Sequence, residues 1–278
     1  MNSTIKAIVF DVYGTLFDVH SVKDACEQEF PEKGAAISQI GRTKQLEYFF
    51  WRHMMGRYED FDTVTRDALR YALAVHDATS TEEIEQRLIA SYAHLTPYEE
   101  VASVLKELHD VKTVILSNGT DEILEALLRN AGLIDYFDEV VSVDGIKQPK
   151  PTPAAYMHWF KTSGLRRDEV LFLSSNGWDI AGAKNFGFHA AWINRNDLPF
   201  EEFDGELLTT YLLHKLKWEL LGKTVLLPAT IVYQARRAVP ALNGCQSANI
   251  NRLRLALMSR SWCAPQAHVH SRTSTVFF

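Results

Sequence analysis

Short apolar runs alternate with longer amphipathic stretches along most of this chain. Ile5–Phe10 (IKAIVF) ends at Asp11 and a Gly14 turn, which predicts a buried parallel strand with a loop at its C-terminal end. Val111–Leu116 repeats that logic and runs into Ser117-Asn118-Gly119. Glu139–Val143, Val170–Leu173 and His189–Ile193 predict three further strands, the first two ending near Asp144-Gly145 and at Ser174-Ser175-Asn176-Gly177. Helical patterns lie between them. Asp121–Asn130 has Asp121 as its candidate N-cap, and Pro153–Thr162 opens on a proline suited to a first helical turn.

Strands alternating with helices predict an α/β fold with a doubly wound, Rossmann-like parallel sheet. Ligands bind such sheets beyond the C-terminal strand ends, where four polar or glycine-bearing loops converge here. One stretch breaks the alternation. Between Asp18 and about Pro97 only helical patterns occur, among them Arg42–Met55 and Thr63–Val75. The expected organisation is a core of residues 1–17 and 98–204, a helical cap at 18–97, and an atypical basic extension at 205–278.

Composition narrows the class. The 278 residues are 46% hydrophobic, enough for one large domain or a core with an insert. The net charge of −6 argues against nucleic acid as a partner. The start MNSTIKAIVFD lacks a signal-peptide pattern, and no apolar run reaches membrane-spanning length, so a cytoplasmic protein without a membrane partner is expected. Cys26, Cys245 and Cys263 form no CxxC pair, and the ten histidines show no HExxH or HxxxH spacing. Charge is uneven, because only two acids but nine bases lie from Gly205 onward. The first 204 residues are therefore at −13 and the remainder at +7.

Four segments carry the chemistry: Asp11-Val12-Tyr13-Gly14-Thr15-Leu16-Phe17-Asp18, Ser117-Asn118-Gly119, Lys150-Pro151 and Ser174-Ser175-Asn176-Gly177-Trp178-Asp179. In this order they resemble the four motifs of the haloacid dehalogenase superfamily. Within it they resemble the L-2-haloacid dehalogenases. The likeness spans roughly residues 4–200 and includes the cap segments Gly41–Tyr48 and Met55–Phe61. Phosphatases of the superfamily resemble Asp-x-Asp at the first motif, where the second acid protonates a poor leaving group. Here that position is Tyr13, too weak an acid near neutral pH, and a halide leaves without a proton. The fourth motif has Asp179 as its single acid, where phosphatases hold magnesium with acidic pairs.

The resemblance implies hydrolysis of L-2-haloalkanoic acids to D-2-hydroxyalkanoic acids and halide, with no cofactor and no metal. Substrates would be short 2-haloacids such as 2-chloropropionate or chloroacetate. Asp11 is the implied nucleophile, forming an ester with inversion at C2. Thr15 and Ser174 would orient it, and Lys150 would keep it ionised. Asp179 would pair with Lys150 or place the hydrolytic water, with Asn176 and Ser175 near that water or the substrate. Ser117 and Asn118 would receive the substrate carboxylate. Arg42 would meet the halide or the carboxylate. Tyr13, Leu46, Phe61 and Trp178 would line an apolar pocket, with Tyr156 nearby. Relatives are often homodimers, which implies the same here.

Two other readings stand beside this one: a phosphatase of the same superfamily, and a non-catalytic binding protein on this fold. Beyond about Phe203 the likeness fades. Leu207–Leu221 reads as a closing helix, and the basic remainder as a lineage-specific extension, a frameshifted reading or a disordered segment. Because no motif lies in it, a truncation ending at Gly222 is expected to fold and to keep the parent's kcat/KM. A folded truncation that loses turnover would place a site contribution in the tail.

Overall fold

A computed structural model describes residues 4–196, 198–199 and 209–211. In chain order the elements are β1 (Ala7–Phe10), β2 (Phe17–Asp18), α1 (Val22–Glu29), α2 (Gly34–Met54), α3 (Phe61–Val75), α4 (Glu82–Ala90), β3 (Thr96–Pro97) and α5 (Val101–Leu105). There follow β4 (Lys112–Ser117), α6 (Asp121–Asn130), β5 (Glu139–Ser142), α7 (Pro153–Ser163), β6 (Val170–Ser174), α8 (Gly177–Phe186), β7 (His189–Ile193) and β8 (Thr209–Tyr211). Six strands form one sheet in the order β5-β4-β1-β6-β7-β8, and every pairing in it is parallel. The α/β, doubly wound reading is thereby confirmed.

The strands are apolar on both faces because helices cover both. Ile8, Phe10, Ile115, Leu171 and Leu173 join one core, while Ala7, Val9, Val114, Leu116, Val170 and Phe172 join the other. Side chains alternate across a strand, so each run of consecutive apolar residues feeds two cores. The first core continues into the helical stretch through Ile37, Phe49, Phe61 and Val64. A fully buried side chain of this kind contributes about 1.5–3 kcal/mol. Between β2 and β3 the described residues hold only helices. The two strands pair antiparallel, Phe17 opposite Pro97 and Asp18 opposite Thr96, a two-residue ribbon where the helical stretch leaves and rejoins the sheet.

Local signals explain several ends. Asp60 caps α3 by accepting from the Thr63 N–H at 2.7 Å. Pro153 occupies the first turn of α7, and Gly164 ends it in the left-handed region at φ 68°. Two expectations are corrected. Thr120, not Asp121, is the N-cap of α6; Asp121 lies inside the first turn, where its charge suits the helix dipole. The closing helix at Leu207–Leu221 is overturned for Thr209–Tyr211, which extend the sheet beside Ala191–Ile193. β-Branched and aromatic residues (Thr-Thr-Tyr) fit a strand whose neighbour is already in place. The rest of that stretch, the tail beyond it, Cys245 and Cys263 lie outside the described residues.

Candidate active site

Three adjacent strands deliver the site. β1 runs directly into Asp11, β4 ends at Ser117 and β6 at Ser174, so three polar residues emerge side by side at the middle of the sheet. The Asp11 N–H donates to Leu173 O at 2.9 Å, which locks the carboxylate's loop to β6. Gly14 then turns the chain at φ +85°, and a Cβ there would stand 2.9 Å from Ser175 Oγ. That turn brings Thr15 back beside Asp11.

The two oxygens of Asp11 are treated differently. Oδ2 accepts from Thr15 Oγ1 at 2.8 Å, Asn176 Nδ2 at 2.9 Å and Ser174 Oγ at 3.2 Å. Oδ1 accepts from Lys150 Nζ at 2.9 Å. Lys150 also reaches Asp179 Oδ2 at 2.7 Å and lies fully buried over the Phe172 ring. Burial draws its pKa down, but Asp11 and Asp179 outweigh that and hold it above the usual lysine value. Asp179 is pushed up to about 6 by burial, against the pull of Lys150. Tyr156 is buried beneath it and donates to Asp179 Oδ1 at 2.7 Å and to its backbone carbonyl at 3.0 Å.

The loop residues are tied to one another. Asn118 Oδ1 accepts the Lys150 N–H at 2.9 Å, which fixes the residue before the cis Lys150–Pro151 bond. Ser117 Oγ accepts the Gly119 N–H at 3.2 Å. Ser175 N–H donates to Thr15 Oγ1 at 2.8 Å, and Asn176 N–H to Ser174 Oγ at 3.1 Å.

From the helical side, Arg42 and Leu46 stand one turn apart on α2, both partly buried. Arg42 lies within electrostatic reach of Asp11 and Tyr13; burial lowers its pKa, and Tyr92, Asp11 and Tyr13 oppose that. Tyr13 stacks on Phe61 with centroids 5.3 Å apart, and it lies so close over Gly119 that any Cβ there would strike its ring. Its buried hydroxyl has no hydrogen-bond partner among the described residues, and burial raises its pKa far above the ordinary phenol value. Trp178 meets Phe50 of α2 at 5.1 Å, edge to face. Tyr13, Phe61, Asp62, Thr65, Ile89, Tyr92 and Ile123 line a narrow crevice between the helices and the sheet.

Among the residues singled out in the sequence, Asp11, Thr15, Lys150, Ser174, Asn176 and Asp179 form one bonded cluster, with Ser175 and Tyr156 attached to it. Asp62, Thr65, Tyr92 and Gln45 were missed. Gln45 had a signal: it stands three residues after Arg42, and positions so spaced share a helix face. Tyr92 and Asp62 had none, because helix packing alone brings them to the crevice.

A buried carboxylate with one oxygen held by three neutral donors and the other by an ammonium has the geometry of a candidate covalent nucleophile. The sequence pattern of haloacid dehalogenase-like hydrolases matches residues 5–187. A (S)-2-haloacid dehalogenase of Xanthobacter autotrophicus is 50% identical over 191 residues, 69% of this chain and 76% of that protein. One from Pseudomonas putida is 42% identical over 204 residues, 73% of this chain and 90% of its own length. The structure of L-2-haloacid dehalogenase from Xanthobacter autotrophicus with chloropropionic acid covalently bound superposes with a TM-score of 0.74 at 40% identity, covering 80% of this chain and all of that one. The chain belongs to the haloacid dehalogenase-like hydrolases and, within them, to the (S)-2-haloacid dehalogenase family.

Proposed function

We propose that this protein hydrolyses L-2-haloalkanoic acids to D-2-hydroxyalkanoic acids and halide through an ester on Asp11. The reading rests above all on the unequal bonding of the Asp11 oxygens. Oδ1, with Lys150 as its one hydrogen-bond donor among the described residues, keeps a lone pair for attack on C2 from the face opposite the halogen. The C–O bond forms as the carbon–halogen bond breaks, and C2 inverts. Oδ2 becomes the ester carbonyl and retains its three donors. When water attacks that carboxyl carbon, the same donors stabilise the oxyanion. The bond from the carboxyl carbon to Oδ1 then breaks. The product oxygen takes one of the water's protons, and the other leaves as the carboxylate is restored.

The other roles belong to the same proposal. Ser117 and Asn118 receive the substrate carboxylate at the β4 end, and Arg42 draws the halide or the carboxylate from above. Tyr13, Leu46, Phe61 and Trp178 surround the alkyl group and the halogen. Residues 18–97 act as a cap that excludes bulk water and so strengthens charge interactions in the site. A relative from Moraxella, 42% identical over 200 residues, is a haloacetate dehalogenase, which favours short substrates.

Metal independence is part of the same reading. Asp11 and Asp179, the two acids a divalent cation would bridge, are bridged by Lys150 Nζ. Among the described residues no other acids, histidines or cysteines gather into a metal-sized cluster. No helix among them is long and apolar enough to cross a membrane, in keeping with a cytoplasmic enzyme. Trp51, Met54 and Tyr71 are exposed on α2 and α3, a face suited to a homodimer, which sedimentation equilibrium would read.

The test is chloride release from each enantiomer of 2-chloropropionate, with and without excess EDTA, beside phosphate release from an aryl phosphate. Turnover of the S enantiomer, unchanged by chelation, is the expected result. Magnesium-dependent phosphate release without halide release would replace this reading with a phosphatase. No turnover of either compound would favour a binding protein.

A further inference from the structure

Arg42 is bonded unlike the ion-paired arginines of this protein. Arg52, Arg70, Arg87, Arg129, Arg166 and Arg195 each meet a carboxylate at 2.6 to 2.9 Å. Among the described residues no carboxylate lies within ion-pair distance of Arg42. Its Nη1 donates instead to the neutral Oε1 of Gln45 at 2.7 Å. Gln45 is fully buried, and its own geometry is over-determined. Its Nε2 donates to Thr65 Oγ1, and the Thr65 hydroxyl donates on to Phe61 O at 2.6 Å.

The direction of every proton in this chain is fixed. A guanidinium is donor-only, so it needs the carbonyl end of the amide. Phe61 O is acceptor-only, so Thr65 must donate to it and can accept only from the amide nitrogen. A carboxylate at position 45 would align Arg42 equally well, but it would cancel the charge and face Thr65 with a second acceptor. An amide satisfies both neighbours and leaves the guanidinium with its full charge close to Asp11.

We propose that Gln45 is a positioning residue for the reaction, a neutral anchor that aims Arg42 at the anionic substrate without neutralising it. The inference rests on the role given above to Arg42. An Asp11→Asn background removes turnover, so binding of (S)-2-chloropropionate can be measured directly by calorimetry. There Gln45→Met is expected to raise Kd about tenfold and Gln45→Glu roughly 30- to 100-fold. With Arg42→Met also present, Gln45→Met should change Kd by less than about twofold, because nothing remains to be aimed.

Thermal melting of each variant separates packing losses from these effects. Should Gln45→Glu fail to fold, the Gln45→Met cycle decides. Unchanged Kd in the folded Gln45 variants, or an equal loss with and without Arg42, would overturn the inference. An Arg42→Met variant that binds as tightly as its parent would overturn it too, while leaving halide release by the unaltered protein intact.

Discussion

Asp11→Asn is expected to lower kcat/KM by at least about 10⁴-fold while the protein stays folded. An asparagine carbonyl can accept from Thr15, Ser174 and Asn176 as Oδ2 does now. Its amide nitrogen then faces Lys150 Nζ, donor against donor, at the place where Oδ1 accepts. That mismatch costs about 1–3 kcal/mol, measurable by denaturant titration and too little to unfold a domain of this size. The amide is a poor nucleophile, so the chemical step is lost. A single turnover in oxygen-18 water, with the unaltered enzyme in excess, gives the complementary result. Label should enter the Asp11 side chain and stay out of the hydroxy acid, and repeated turnover should carry it into product. Label in the product after one turnover would mean that water attacks the substrate directly.

Lys150→Met is expected to cost about 3–5 kcal/mol of stability and to reduce turnover by at least about 10³-fold. The ammonium holds two buried carboxylates at 2.9 and 2.7 Å, and methionine leaves both without it. The backbone of Lys150 remains tied to Asn118, so the loop is expected to keep its path. The stability loss should depend on pH. Asp179, already at about 6 through burial, is driven higher when the lysine that lowers it is removed. A carboxylate with a folded pKa above its unfolded value destabilises once pH exceeds the unfolded pKa. The loss should therefore be larger at pH ~8 than at pH ~5, as chemical unfolding at the two values will show. Equal losses at both would mean that Asp179 does not protonate when the lysine is gone.

Much of the fold was legible because its signals are local. A buried parallel strand must be apolar on both faces, so Ile8–Phe10, Val114–Leu116 and Val170–Leu173 announce themselves as short continuous runs. The cluster around Asp11 was legible for a related reason. Asp11, Ser174 and Asn176 stand at or just beyond strand ends, and a parallel sheet must bring those ends together. Gly14 and Pro153 marked a turn and a helix start through backbone constraints of their own. Thr209–Tyr211 were misread, because Leu207–Leu221 has helical composition and the partner edge of β7 cannot be seen from the sequence.

The sequence by itself therefore determined the class of fold, and it singled out Asp11 as the candidate nucleophile together with its immediate neighbours. Each depends on residue type and on position relative to a strand, and both are written along the chain. Only the tertiary structure decided how the two oxygens of Asp11 divide their partners, that Tyr156 lies under Asp179, and that Gln45 stands between Arg42 and Thr65. Those facts depend on which lone pair points where and on how helices from a separate stretch of chain settle on the sheet. Hydrogen-bond direction and helix packing are properties of contacts between distant residues, and no local pattern of hydrophobic and polar positions encodes them.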